Sequence, residues 1–399
     1  MSRTFDIVIY GATGFTGHLC AEYLDSIDTK INWAIAGRNL EKLDAIAANL
    51  DKKLEILVAD PSDPDSLDLL TSSTKVVLST AGPFHRCGSE LVASCVKNST
   101  HYVDITGETF WIKELIEKHH EEASRKGVRI IPSCGFDSIP SDLGTYFGIR
   151  NIGKPVKKIE SFHAWKGEAS GGTLETVFSM GETVSKPDLS NPFLLNPEGS
   201  FSEEQRTRSA DQIAVSRNEA LGAWSGPFIM APVNTRIVRR SEALLSLRQE
   251  PYGPNFIYQE NGFFKGRLPA YLSLISMALF GLVLMTPLKR IIRPLLRKPG
   301  EGPSKTVQKS GWFECKFLAE TEDGEKYIFG ISGKGDPGYR VTSKLVSEAA
   351  ICIVESLDQL PGGSAYGGLL TSASGLGDVL IERLSKADIN FSKPFKIDP

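Results

Sequence analysis

Cysteine is scarce and scattered in this chain of 399 residues. The six, Cys20, Cys87, Cys95, Cys134, Cys315 and Cys352, form no C-x-x-C pair and no cysteine–histidine spacing that would build a zinc site. They read as reduced thiols, and no metal centre is expected. Histidine is as sparse, with six residues and no ligand spacing, and His119-His120 reads as the surface of a solvated helix. An excess of charge is also missing. The formal net charge is −3, without the basic surplus of a nucleic-acid binder, so nucleic acid is not an expected partner. Internal repeats and low-complexity tails are absent too. The first strand opens at Phe5, which leaves no room for a cleavable leader, and secretion is not expected.

Glycine is not scarce, and its placement carries the first positive signal. Phe5-Asp-Ile-Val-Ile-Tyr10 is an apolar run that breaks into Gly11-Ala-Thr13-Gly14-Phe15-Thr16-Gly17, after which Leu19, Tyr23 and Ile27 recur at helical spacing. Strand, glycine turn and helix in that order make the phosphate-gripping unit of a dinucleotide-binding fold. Gly11 permits the turn, Gly14 lets the backbone approach a pyrophosphate, and Gly17 lets the helix lie close to the sheet. A second strand, Ile31–Gly37, ends at Arg38, where an NAD-preferring unit places a carboxylate. A guanidinium there, with Lys42 one helical turn on, suits the 2′-phosphate of NADP; the bland alternative is two solvated side chains at a helix start. A third strand ends at Asp60, which is read either as an adenine contact or as the cap of a helix over 62–70. Val76 to Phe84 then delivers Thr80, Ala81, Gly82 and Pro83 to the same edge, beside the cofactor.

The length exceeds what one hydrophobic core holds. The expected class is α/β, a Rossmann-type parallel sheet with a second mixed α/β domain that carries an apolar insert. The expected bounds are 1–147 for the dinucleotide-binding domain, 148–344 for the mixed domain with its insert at 268–288, and 345–399 for a C-terminal return to the first domain. Residues 249–265 and 297–309 read as linkers around the insert, and Trp312–Leu318 with Lys326–Ile331 as a hairpin.

The insert, Leu268 to Leu288, holds no charged residue and is followed by Lys289, Arg290, Arg293, Arg297 and Lys298. It passes the length threshold for a membrane span. A single crossing would strand the C-terminal part on the wrong side of the membrane, so 268–298 is expected to enter one leaflet of a cytosol-facing membrane or a lipid droplet. The alternative is a buried helix of the second domain.

A further polar loop, Cys134-Gly-Phe-Asp137-Ser138-Ile-Pro-Ser141-Asp142-Leu-Gly144, follows a strand at Val128–Ile131. Together with Gly-Ala-Thr-Gly-Phe-Thr-Gly, Ala36-Gly-Arg38, Thr80–Phe84, Tyr102–Glu108, Ser170-Gly-Gly-Thr173, Gly335–Tyr339 and Gly375–Asp378, it resembles the saccharopine dehydrogenase-like oxidoreductases, in particular the branch of trans-acting enoyl reductases. The resemblance covers nearly the whole chain. It implies an NADP-dependent reduction of an enoyl or related acyl group on a lipid-like substrate, on the way to a glycolipid in the bacterial members. A lysine-pathway role is not implied, because the true saccharopine reductases differ in these loops.

For that chemistry Tyr339, Ser138 and Thr173 are the candidate catalytic donors, with Ser141 a further hydroxyl. The alternative for Tyr339 is a turn tyrosine with its hydroxyl in solvent, and for Asp137 and Asp142 helix capping or a buried bond outweighs acid–base work. Two other functions compete: an imine or amino-acid dehydrogenase, for which Arg236, Arg239 and Arg240 are the dense cationic cluster, and a catalytically silent nucleotide-binding scaffold on lipid droplets. A homodimer is a further partner to be considered.

Overall fold

The computed structural model describes residues 3–168, 190–292 and 301–397. Seven strands make a wholly parallel sheet: β1 (Phe5–Tyr10), β2 (Trp33–Gly37), β3 (Glu55–Val58), β4 (Thr74–Ser79), β5 (His101–Asp104), β6 (Arg129–Ile131) and β13 (Gly368–Leu369). Their order is β13-β6-β5-β4-β1-β2-β3. The chain therefore reverses direction across the sheet between β1 and β4, and the crevice at the carboxyl ends of those two strands is where such a sheet binds its ligand. Six helices follow the strands: α1 (Phe15–Ser26), α2 (Leu40–Ala47), α3 (Pro64–Ser73), the short α4 (Phe84–Cys87), α5 (Ser89–Lys97) and α6 (Thr109–Arg125). Helices on both faces explain why β1, β2 and β4 are apolar runs without alternation: Ile7, Val8, Ile9, Ala34, Ile35, Val76, Val77 and Leu78 are all fully buried.

The second sheet is mixed, with the order β14-β12-β11-β7-β10-β9-β8. Its strands are β7 (Val156–Lys166), β8 (Ser216–Asn218), β9 (Ala223–Gly226), β10 (Ile257–Phe264), β11 (Trp312–Thr321), β12 (Lys326–Lys334) and β14 (Ile389–Ile397). The expected hairpin is β11–β12. The expected linker over 249–265 is not one, because β10 lies inside it and pairs in parallel with β7 and antiparallel with β9. Part of the second linker is likewise helical, at Lys305–Ser310. The segment 345–399 divides between the sheets: the helix Thr342–Ser356 and β13 lie with the first, while β14 pairs with β12.

Helix α7 (Ile139–Ile152) joins the two halves. A Cβ on Gly144 would stand 2.5 Å from the Phe317 ring, and one on Gly148 2.1 Å from Phe329. The two glycines let α7 lie directly on the stacked rings of Phe317 and Phe329, whose centroids are 5.0 Å apart. The loop that enters α7 is thereby held between the sheets.

The apolar insert forms the helix Arg267–Met285, which is long and apolar enough to cross a membrane. It is not a core helix. Only 6% of Arg267–Leu284 is buried, and Leu268, Leu272, Ile275, Leu279 and Leu282 are each more than half exposed. Ala270 is the buried residue at its base, near β9, where Arg267 lies over the rings of Trp224 and Tyr271. Of the basic run that follows, Arg293, Arg297 and Lys298 lie outside the described residues. His119 and His120 are half-buried rather than solvated, and His120 Nδ1 accepts the backbone N–H of Leu369, tying β13 to α6. All six cysteines are unpaired, and five are buried.

Candidate functional site

The glycine turn is packed too tightly for any side chain at two of its three glycines. Gly11 has φ +87°, and a Cβ there would stand 2.8 Å from the Ala81 nitrogen. At Gly17 it would stand 2.3 Å from the Gly11 oxygen and 2.6 Å from Thr80 Oγ1. Thr80 Oγ1 donates to the Gly11 carbonyl at 3.2 Å, so the ends of β1 and β4 are bonded directly across the crevice. At Gly14 a Cβ would meet only the Gly11 oxygen, at 3.2 Å, which leaves its outer side open. Gly14 is also the N-cap of α1, and no side chain caps that end. Free N–H groups and the positive end of a helix dipole are therefore offered where a pyrophosphate would lie.

Further along the edge, Thr13, Arg38, Asn39, Lys42 and Asp60 line a cavity of about 390 Å³. Asn39 caps α2 by accepting the Lys42 N–H at 2.9 Å, which fixes the first turn that carries Lys42. Neither Arg38 nor Lys42 makes an ion pair among the described residues. Asp60 accepts from Ser62 Oγ at 2.6 Å and from Ser62 N at 2.9 Å, and these bonds, with a smaller contribution from Arg38, hold its carboxyl below the usual range. Asp60 is not the cap of α3; Asp63 is, accepting from Ser66 N. Two unpaired cations facing a polar cavity beside a glycine turn fit the 2′-phosphate, ribose and pyrophosphate of NADP.

At the other end of the crevice, Thr80-Ala81-Gly82-Pro83 leads into α4. The buried carboxylate of Glu108 accepts the backbone N–H groups of Phe84 at 2.9 Å and His85 at 2.8 Å, and meets His85 Nδ1 at 2.7 Å. Glu108 closes the Tyr102–Glu108 motif, and a carboxylate four residues beyond β5, at the carboxyl edge of the sheet, is itself a signal in the sequence. Tyr339 is buried, not solvent-facing. Its ring meets Phe15 of the glycine turn edge-on at 5.2 Å, and its backbone N–H donates to Asp336 Oδ2 at 3.1 Å.

Ser138 and Ser141 point into a buried polar network. Ser138 Oγ donates to Asn234 Oδ1 at 3.2 Å, Ser141 Oγ to Glu260 Oε1 at 3.1 Å, and Asn234 Nδ2 to Glu260 Oε1 at 2.6 Å. His163 completes it, 3.0 Å from Glu260, 3.1 Å from Cys315 Sγ and stacked on Phe228. Burial opposes its charge, but the thiol and the carboxylate push His163 up to about 10. Thr173, with Ser170, lies outside the described residues.

The two aspartates of the 134–144 loop differ. Asp142 is fully buried and accepts from Ser241 Oγ, from Ser372 Oγ at 2.7 Å and from Ala373 N at 2.8 Å. Asp137 has no hydrogen-bond partner among the described residues, and burial pushes its carboxyl up to about 6. The arginine cluster is committed elsewhere. Arg239 donates to the carbonyls of Pro192, Ser209 and Tyr258, Arg240 to those of Leu195 and Leu369, and Arg236 pairs with Asp211. A substrate carboxylate cannot claim them without dismantling the core, which removes the feature that favoured an amino-acid substrate.

Comparison with known proteins agrees with this geometry. Residues 7–131 match the family model of the saccharopine dehydrogenase NADP-binding domain. The trans-acting enoyl reductase of Mycobacterium tuberculosis is 33% identical over 421 residues, covering 97% of each chain. The trans-acting enoyl reductase of Mycobacterium ulcerans is 32% identical over 417 residues, again covering 97% of each. Among solved structures, the saccharopine dehydrogenase (L-Glu forming) of Saccharomyces cerevisiae shares the fold, with a TM-score of 0.54 and 15% identity, over 99% of this chain and 100% of that one. The chain thus has the architecture of an NADP-binding oxidoreductase across both sheets.

Proposed function

The chain belongs to the family of trans-acting enoyl reductases, within the saccharopine dehydrogenase-like oxidoreductases, and from that premise we propose that it uses NADPH to reduce an enoyl or related acyl group of a lipid-like substrate. The observation that carries the lipid part of this reading is the exposed apolar helix Arg267–Met285. Five aliphatic side chains, each somewhat more than half in water, forgo roughly 6 kcal/mol of gross transfer free energy, which a lipid surface would return. Lys289 and Arg290 follow the helix and suit anionic headgroups. The helix accordingly lies in one leaflet of a cytosol-facing membrane or a lipid droplet, where a long acyl substrate is also held, and the reaction belongs to lipid or glycolipid metabolism.

Two measurements test this. NADPH oxidation is followed with a long-chain 2-enoyl thioester and, separately, with 2-oxo acid and amine pairs. Turnover of the thioester supports the reading; turnover of the imine-forming pairs alone sinks it, and tight NADPH binding with neither would favour the silent scaffold. Flotation with anionic vesicles is then compared between the wild type and a Leu272→Gln, Ile275→Gln, Leu279→Gln variant. Loss of flotation is expected. A wild type that never floats but hides the helix in a concentration-dependent dimer would overturn the lipid placement.

A further inference from the structure

Adding hydride to a carbon–carbon double bond leaves an electron pair on the neighbouring carbon, and a second group must protonate it. Most carboxyl groups around the crevice are already engaged. Asp104 accepts the N–H groups of Thr106 and Ser133 through Oδ1 alone, and its Oδ2 is sealed in the core without a hydrogen-bond partner among the described residues; Glu108 holds the α4 turn and His85, Asp142 holds Ser372 and Ala373, and Asp336 accepts from Glu168 N and Tyr339 N. Glu260 is tied to His163 and Asn234.

Asp137 is different. Its neighbours are pinned: the Phe136 N–H donates to Thr342 Oγ1 at 3.0 Å, the Ser138 N–H to the Gly135 carbonyl at 3.3 Å, and the Ser138 hydroxyl to Asn234. Its carboxyl, by contrast, meets no donor among the described residues and keeps partial exposure. Around Gly107, at the carboxyl end of β5, a Cβ would stand 4.0 Å from Asp137 Oδ2, 3.9 Å from Met230 Cε and 3.8 Å from Val233 Cγ2. One carboxyl oxygen and two apolar side chains thus surround the bare Cα of Gly107, and that apolar company penalises the anion. Burial alone accounts for the raised Asp137 carboxyl; Asp104, Glu108, His85, Asp142, Asp336 and His163, the titratable groups on the surrounding elements, add no resolved perturbation.

We propose that Asp137 is the proton donor of the reduction. This rests on the enoyl reading above. Hydride from NADPH forms the new C–H bond at the carbon β to the carbonyl, and the π pair of the double bond moves to the α carbon and the carbonyl oxygen. The α carbon then takes the Asp137 proton as the O–H bond breaks, its electron pair staying on the carboxylate. The products are the saturated acyl group, NADP⁺ and an Asp137 carboxylate that regains its proton from water.

The test uses the full-length protein and two readouts, with melting temperature as the check on folding. First, NADP⁺ and NADPH affinities are measured between pH 5 and 8 in the wild type and in Asp137→Asn. The 2′-phosphate titrates near pH 6 in both nucleotides and cancels in their ratio, whereas only the oxidised ring is positive. The wild-type ratio should turn roughly fivefold toward NADP⁺ as Asp137 ionises, and should be flat in the variant. Second, with a 2-enoyl thioester, Asp137→Asn should lose about 10²–10⁴-fold in kcat at unchanged NADPH affinity, and Asp137→Glu should recover part of it. Wild-type kcat/KM should fall as pH rises through about 6, because the acid form is the donor. A wild-type ratio flat with pH, or a variant within tenfold of wild type with the same pH profile, overturns the proposal. A wild type inert toward the thioester sinks the enoyl reading alone, and the nucleotide ratio then decides whether Asp137 stands at the nicotinamide.

Discussion

Removing the Arg38 side chain should separate the two nicotinamide cofactors. The guanidinium stands at the end of β2 in a cavity it shares with Thr13, Asn39, Lys42 and Asp60. A charge-assisted hydrogen bond to phosphate contributes about 1.5–3 kcal/mol. At 1.4 kcal/mol per tenfold, Arg38→Ala should weaken NADPH roughly 10- to 100-fold and leave NADH, which lacks the 2′-phosphate, unchanged. Arg38 is exposed, so the loss belongs toward the lower end and should shrink in high salt, where charges are screened within a few ångströms. Arg38→Asp goes further. It sets a carboxylate against the phosphate, close to Asp60, and offers an acceptor to the ribose hydroxyls of NADH. Titration of the protein with each reduced nucleotide, followed by nicotinamide fluorescence at low and high salt, reads all of this. Equal weakening of NADH and NADPH, or none of either, would refute the assignment of this cavity to the 2′-phosphate.

Gly17→Ala puts a methyl 2.3 Å from the Gly11 oxygen, which should cost about 1–3 kcal/mol, lower the melting temperature and abolish nucleotide binding; an unaltered melt with full NADPH affinity would contradict the packing. Asp142→Ala strands the buried donors of Ser241, Ser372 and Ala373, so the urea midpoint should fall by the equivalent of roughly 3 kcal/mol. Asp137→Asn should do the reverse. Its folded carboxyl is raised from 3.8 to about 6, so the stability carried by the acid form is complete below pH 4 and is lost as pH climbs through 6. The variant escapes that loss, and should match the wild type at pH 4 and exceed it by roughly 1–3 kcal/mol above pH 7; equal denaturation midpoints at both pH values would count against a half-buried, unpartnered carboxyl.

The nucleotide half was legible because its signals are local. A strand, three glycines and a helix are neighbours in sequence, and Arg38 follows its strand directly. The second half depends on distant partners. β10 contains Gln259, Glu260 and Asn261 and is flanked by Pro251, Gly253 and Pro254, so it resembles a linker until Glu260 is seen bonded to Asn234, Ser141 and His163. Asp137 and Asp142 pose the same difficulty in one loop. Both look like capping residues, and what separates them is a set of donors from Ser241, Ser372 and Ala373 that reach only Asp142. Local propensity describes what a residue can do, and tertiary contacts decide which aspartate is left unpartnered.

The exposed helix also bears on how the two sheets work together. Where the described chain resumes after the insert, it turns at once to the nucleotide site: a Cβ on Gly302 would stand 2.4 Å from the Phe15 ring, which on another side meets Tyr339. Gln308 then accepts the Asp336 N–H at 2.8 Å, and Asp336 accepts from Tyr339. The segment leaving the apolar helix is thus packed on the aromatic residue that opens α1, beside the loop where the pyrophosphate would rest. At the helix's other end, β10 carries Glu260 into the network that holds Ser138, the residue after Asp137. The exposed helix is thus followed in sequence by a segment, from Glu301 on, that packs on the cofactor cradle, and preceded by a strand that reaches the loop of Asp137. If a bilayer takes up the helix, an acyl chain entering from that bilayer arrives beside β9 and β10, and β10 is the strand whose Glu260 holds the loop before α7.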